Sequence, residues 1–584
     1  MLQSFTIPSI RRPALPNQWD ALAFALVIGG VALIAHAHKG MTIPFELATS
    51  ELPISLDPRN LPEYAARTTM RMAIAMVLSI VFSLTYAALA AKSRMMERLL
   101  VPVLDILQSV PILSFLTITV TGFIALFPHN LLGLECASIF AVFTSQAWNI
   151  TFSLYQSFRT VPLDLEEASR MFRASPWRKF WRLEVPFAMP QLVWNIMMSA
   201  SGGWFFVVAS EAITISDKQV TLPGIGSYIA AAIDARDVHA VIYALIAMLV
   251  IILAVDQLVM RPLLVWSDKF RPSDDPSEDT RESWFLNMLM RARFLHWAAE
   301  AFEALVEYTS CILRGPTDAE ATIVHRPLAN PLSRQTRLAL DVLWNVLLVV
   351  LAGYCMWQVY QTVISAIDWP EIASVFVFGF YTALRVFFWM AIASLVWVPI
   401  GVLVGLRPSV AQAIQPIVQI LAAFPANLLF PLAVILITRT HANPEIWLSP
   451  LMILGTQWYI LFNVIGGMST MPAELQFAAR NFGAEGFMWW RRVALPYVLP
   501  AYVTGVVTAS GGSWNASIVS EIVKWGDTTL TATGIGAYIA KASAAGDMSR
   551  VVLGSAVLCV FVTLINRLLW RRLYAWAEER VRLG

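Results

Sequence analysis

Apolar residues in this chain come in long uninterrupted runs, with neither the single-face stripes of a soluble helix nor the alternation of a half-buried strand. Runs begin near Ala21, Met72, Val103, Leu132, Phe187 and Ala240, and again near Leu340, Phe378, Pro416, Ile446, Tyr497 and Val551. Each has about 20 residues, the length that carries a helix across a bilayer. The period-two pattern of a membrane β-barrel is missing. The expected fold class is an all-α polytopic membrane protein with about 12 transmembrane helices. Pro111 and Pro425 fall inside two of the runs, where a break or kink is expected.

Composition agrees with a lipid-facing chain. Of 584 residues, 58% are hydrophobic and 14% charged, against roughly 25% charged in soluble domains. A net charge of +2 gives no reason to expect nucleic acid as a partner. Cys136, Cys311, Cys355 and Cys559 are too scattered for a disulfide framework or a metal site. Arg11 and Arg12 precede the first run, but no small-residue cleavage site follows it, so a removed signal peptide is not expected.

The bases predict the topology. Arg159, Arg170, Arg173, Arg178, Lys179 and Arg182 crowd one loop, Arg480, Arg491 and Arg492 another, and Arg571, Arg572, Arg580 and Arg582 the C-terminus. The turn at 127–133 has none. The excess of bases on cytoplasmic loops places those segments and both termini in the cytoplasm.

The second half repeats the first. Pro186 and Pro496, Trp204 and Trp514, and Glu211 and Glu521 are each 310 residues apart, while Thr68/Thr382, Arg71/Arg385 and Pro111/Pro425 are 314 apart. Residues 1–264 and 338–584 therefore form two domains of six spans each. Even parity makes them parallel repeats about an axis along the membrane normal, with a translocation path between them. Residues 265–337 form a charged linker with an amphipathic helix around Trp284–Leu305, expected to act as a cytoplasmic tether.

The repeated loops, 162–190 and 472–500, combine a short helix over Leu165–Phe172 or Phe477–Phe482 with aromatic residues, bases and closing prolines expected to reset the chain as it re-enters the membrane. A short helix with an apolar face, held outside the bilayer, suits a partner's groove. These loops resemble the EAA signature of ABC importer permeases, in which E-A-A, Gly and a downstream I-x-L-P keep fixed distances. Copy one keeps Glu167, Ala168 and Pro186 but has Arg173 for Gly; copy two keeps Ala478, Ala479, Gly483, Leu495 and Pro496 but has Phe477 for Glu. The "GW…V…E" and "GIG-x-Y-I" segments are similar to the nitrate/sulfonate/taurine branch.

The resemblance implies two fused type I importer permease domains in the cytoplasmic (inner) membrane, moving a small nitrate-, sulfonate- or bicarbonate-like anion. It implies two ABC ATPase subunits and an extracytoplasmic solute-binding protein as partners beside membrane lipid, and unequal loops that contact those ATPases by charge at Glu167 and by packing at Phe477. ATP and magnesium belong to the ATPase partners: no Gly-Lys pair of a phosphate-binding loop occurs here, no catalytic cluster stands out, and the chain is not expected to be an enzyme or to hold a cofactor.

Ionisable groups in spans face a bundle or an aqueous path. Glu211 and Glu521 lie seven residues beyond Trp204 and Trp514, on the same helical face. Their expected role is either path or gate, with Arg71 and Arg385 as partners. Gln108, Gln146, Asn427 and Gln457 are further candidates for the path. "GIGSYI" reads as a turn after the fifth span. The alternative function is a twelve-span secondary transporter driven by an ion gradient, which needs coupling carboxylates; Asp105 and Asp256 are the few near span ends.

Overall fold

The computed structural model describes residues 54–109, 111–127, 130–172, 175–215, 218–270 and 366–570, with scattered positions between 285 and 363 and beyond 571. The run near Ala21, most of that near Leu340 and most of the linker 265–337, including its amphipathic helix, lie outside the described residues. Of the described residues, those within 37–160, 191–256 and 332–584 form one compact unit, and those within 161–190 and 257–331 another.

Among the described residues, seven helical segments are long and apolar enough to cross a membrane: Pro58–Lys92, Pro176–Glu211, Val238–Ser267, Trp369–Gly405, Pro444–Ser469, Gly486–Ser520 and Met548–Trp570. An eighth span is broken, with Pro408–Ala423 and Ala426–Thr440 meeting at a 73° bend around Pro425. The first half breaks at the same place: helix Arg94–Ser109 ends and Ile112–Leu126 begins, with Pro111 at the N-cap. Proline supplies no amide to the preceding turn and pushes its predecessor out of the helical region, so both breaks follow from sequence. Helix Leu132–Arg159 begins where its run does, but buries a polar side with Glu135, Ser138, Thr144, Gln146 and Thr151.

Three expectations need correction. The closing prolines do not reset the chain, because helix is continuous through both: Pro190 and Pro500 sit inside Val185–Glu211 and Leu495–Ser520. Each long helix is preceded by a five-residue π-helical stretch, Phe180–Glu184 or Trp490–Ala494. The loop helices run Leu163–Met171 and Ala473–Asn481, so the second starts four residues early, directly after Pro472. The fold is all-α as expected, with two short antiparallel hairpins, Ala212–Ile215 with Lys218–Thr221 and Ile522–Trp525 with Thr528–Thr531, among the described residues. "GIGSYI" is therefore no turn: Ile225–Asp234 and Ile535–Ala544 are helices that start there.

Contacts inside the larger unit join the repeats. Ser555 Oγ donates to the Ser114 carbonyl at 2.8 Å, Trp194 stacks on Phe462 with centroids 5.2 Å apart, and Gln419 Nε2 donates to Asp256 Oδ1 at 3.0 Å. At the hairpins, Gly526 N donates to the Ile233 carbonyl at 3.0 Å while Arg236 pairs with Asp527.

Candidate functional site

The fifth-span carboxylates sit in closed networks. Arg71 Nη1 lies 2.6 Å from Glu211 Oε1, and its other nitrogens grip Glu135 at 2.5 and 2.7 Å. All three side chains are buried to within 1%. Thr68 Oγ1 donates to Glu211 Oε1 at 2.7 Å, and Gly226 N donates to Oε2 at 2.8 Å. Both Glu211 oxygens are thus occupied.

The second half rebuilds this arrangement more loosely. Thr382 Oγ1 and Ala537 N donate to Glu521 at 2.6 and 3.0 Å. Arg385 pairs with Glu445 and stands 3.5 Å from Glu521. It also donates to the Thr533 carbonyl at 2.8 Å, and Thr533 Oγ1 donates to Glu445 at 2.7 Å.

Glu135 and Glu445 were missed by sequence reasoning, although they too are 310 apart. The glycines of the two "GIG" segments have a steric reason. A Cβ on Gly224 would fall 2.3 Å from the Glu211 carboxyl carbon, and one on Gly534 equally close to that of Glu521. No side chain fits beneath either carboxylate.

A cavity of about 60 Å³ lies between the halves, bounded by Ser201, Phe205 and Phe206 from the first and Ala426, Thr456 and Tyr459 from the second. Trp204 and Trp514 are buried but do not line it. Gln146 is also buried, with Nε2 3.3 Å from Met72 Sδ. Gln457 accepts from Trp397 Nε1 at 2.9 Å, and Gln108 is exposed at the end of its helix. Asn427 follows Ala426, and its Oδ1 is buried with no partner among the described residues. The four amides chosen from sequence thus surround the break and the spans without bounding the cavity.

The loop helices present apolar side chains to the outside. In copy two Phe477 is 62%, Phe482 86% and Phe487 81% exposed, while Ala479 is buried and Ala478 half-buried. Gly483 adopts φ +65° and ends the helix: its amide bonds to the Arg480 carbonyl, and Ala484 N reaches back to Ala479. Leu495 and Pro496 open the long helix, exposed.

In copy one, Met171 and Phe172 are 84% and 85% exposed. Glu167 is exposed, Ala168 and Pro186 are half-buried, and Arg173 lies outside the described residues. Glu166, which the motif comparison passed over, takes Lys179 Nζ at 2.8 Å. That bond holds its carboxyl below the usual carboxylate range.

Two stretches, 79–261 and 397–583, each match the family model of the binding-protein-dependent transport system inner membrane component. Together they cover well over half of the chain. The chain belongs to this family, as a fused duplication. It is 23% identical over 260 residues to the nitrate import permease protein NrtB of Synechocystis sp., covering 43% of this chain and 87% of that protein. It is 27% identical over 177 residues to NrtB of Leptolyngbya laminosa, covering 30% of this chain and 58% of that one. A third relative, the bicarbonate transport system permease protein CmpB of Synechococcus elongatus, is 26% identical over 189 residues, 32% of this chain and 63% of that protein. The chain thus spans about three fifths of the length of two of these relatives. It is a multi-pass membrane protein of a transport family.

Proposed function

We propose that this chain is the whole transmembrane part of an ATP-driven importer for a small anion. It lies in the cytoplasmic membrane with both termini inside, and its two halves enclose the solute path. The observation that carries this reading is the pair of short helices, Leu163–Met171 and Ala473–Asn481, that hold Phe172 and Phe482 almost fully exposed. Exposed aromatic residues on a short charged helix mark a protein contact. Two such helices call for two ATPase subunits, which carry ATP and magnesium, and a solute-binding protein delivers the anion from the other side. The permeases that resemble this chain import nitrate and bicarbonate, which supports the solute class. Glu211 and Glu521, with their oxygens already taken, serve as braces near the outer ends of the fifth spans rather than as ligands for an anion. Co-purification tests the reading: the wild-type chain should retain ATPase subunits, and Phe172→Asp with Phe482→Asp should lose them. Full retention in that double variant would overturn the assignment of the loops.

A further inference from the structure

Each half of the chain is a reference for the other. In the first half, the helix after Pro111 starts with two amides aimed at one acceptor: Asn515 Oδ1 receives Ile112 N at 2.7 Å and Leu113 N at 3.4 Å. The repeat puts Ala426 and Asn427 at the positions of Ile112 and Leu113, and Phe205 at that of Asn515. A phenyl ring cannot accept these bonds. Among the described residues the amides of Ala426 and Asn427 have no acceptor. Where the first half places a carboxamide oxygen, the second has the cavity, bounded by both Phe205 and Ala426.

An independent observation points to the same space. Tyr459 lines the cavity and is 93% buried (7% exposed), yet its hydroxyl has no hydrogen-bond partner among the described residues. The hydroxyl is accordingly left to face the cavity that the residue lines. This hydroxyl stands 3.4 Å from where a Cβ on Gly202, another lining residue, would be. Its repeat counterpart, Asn149, by contrast donates to Ser199 Oγ at 3.0 Å. Both departures from the repeat, at Phe205 and at Tyr459, fall on one cavity and leave donors there.

We propose that this cavity is a transit site for an oxyanion of about four non-hydrogen atoms, held by the Tyr459 hydroxyl and the unpaired amide of Ala426. This rests on the reading of the chain as an anion permease and adds a size class and a place. The lining has no Asp or Glu to repel the ion and no Lys or Arg to trap it, as passage requires. The aromatic edges around it carry partial positive charge. A water occupies about 10–15 Å³ of such space, so the cavity matches a compact ion and is too small for an aminoalkyl sulfonate.

The test uses the purified complex of this chain with its ATPase subunits, titrated with ¹⁵N-nitrate, ¹³C-bicarbonate and taurine and read by line broadening. Wild type should bind nitrate or bicarbonate and not taurine. Tyr459→Phe should weaken that binding about tenfold or more, the effect of one hydrogen bond to a charged group. Phe205→Asn, which installs the carboxamide of the other half, should abolish it; co-purification of the ATPase subunits reports that each variant has folded. Should Phe205→Asn fail to assemble, Tyr459→Phe decides alone. Equal anion binding in wild type and Tyr459→Phe overturns the site, and taurine binding that responds to Tyr459→Phe overturns the size class. Failure of wild type to bind or import any anion overturns the anion-permease reading itself.

Discussion

Arg71 lies 2.6 Å from Glu211 with both side chains wholly buried, whereas Arg385 stands 3.5 Å from Glu521 and keeps 16% of its side chain exposed. The two halves hold the same three charges under different solvation. Removing one partner of a buried pair leaves an uncompensated charge, at a cost of about 3–5 kcal/mol. Arg71→Met should therefore lower stability by about that amount. Arg385→Met should cost clearly less, because water reaches Arg385 itself and Glu445, although Glu521 is buried. Thermal unfolding in detergent measures both, and equal losses would contradict the asymmetry.

The glycines beneath the carboxylates give a prediction of opposite signs. Gly224→Ala and Gly534→Ala force a methyl to within 2.3 Å of a carboxyl carbon and should destabilise by several kcal/mol, about the range for disrupting a buried network. Gly511→Ala, in the helix Leu495–Ser520 with nothing within 4 Å, should stabilise by about 1 kcal/mol through helix propensity. A destabilised Gly511→Ala alongside a neutral Gly534→Ala would contradict the packing described.

The loop helices should respond differently to salt and pH. Glu166 and Lys179 form a partly exposed pair, which salt screens, so the effect of Glu166→Gln should shrink at high ionic strength. Because the folded-state pKa of Glu166 is depressed, its contribution is present above the ordinary carboxylate pKa and lost as pH falls through the lowered value. Phe477→Ala removes exposed apolar surface, and its effect on ATPase stimulation should be independent of salt. Parallel salt titrations of the two variants decide this, and identical responses would contradict it.

Gly483 calls for glycine through its backbone. At φ +65° a side chain is strained by roughly 1 kcal/mol even though nothing would touch it. Gly483→Ala should loosen the end of the helix Ala473–Asn481, seen as faster amide exchange at Ala484, with little loss of global stability.

The seven to eight apolar spans among the described residues, the proline breaks and the duplication were legible because each rests on local physics: run length, a missing amide, a constant separation. Glu135 was not, since the repeat offset changes from 314 to 310 between Pro425 and Glu445, hiding the match inside an apolar run. The "GIG" segments read as turns because the object they accommodate, a carboxylate thirteen residues earlier for Gly224 and Gly534, is visible only in three dimensions. Glu167 was chosen by motif, while Glu166 faces Lys179; adjacent residues on a helix point about 100° apart, and sequence alone does not say which turns inward. Tyr459 gave no signal, because a tyrosine in a span is unremarkable until its hydroxyl is found without a partner.

Uptake by the reconstituted complex tests the central claim most directly. Liposomes holding this chain with its ATPase subunits, supplied with the solute-binding protein and labelled nitrate or bicarbonate, should accumulate the anion only when ATP is present on the cytoplasmic side. Accumulation should cease when the ATPase subunits are omitted. Uptake by the chain alone, driven by a proton or sodium gradient and indifferent to ATP, would contradict the account.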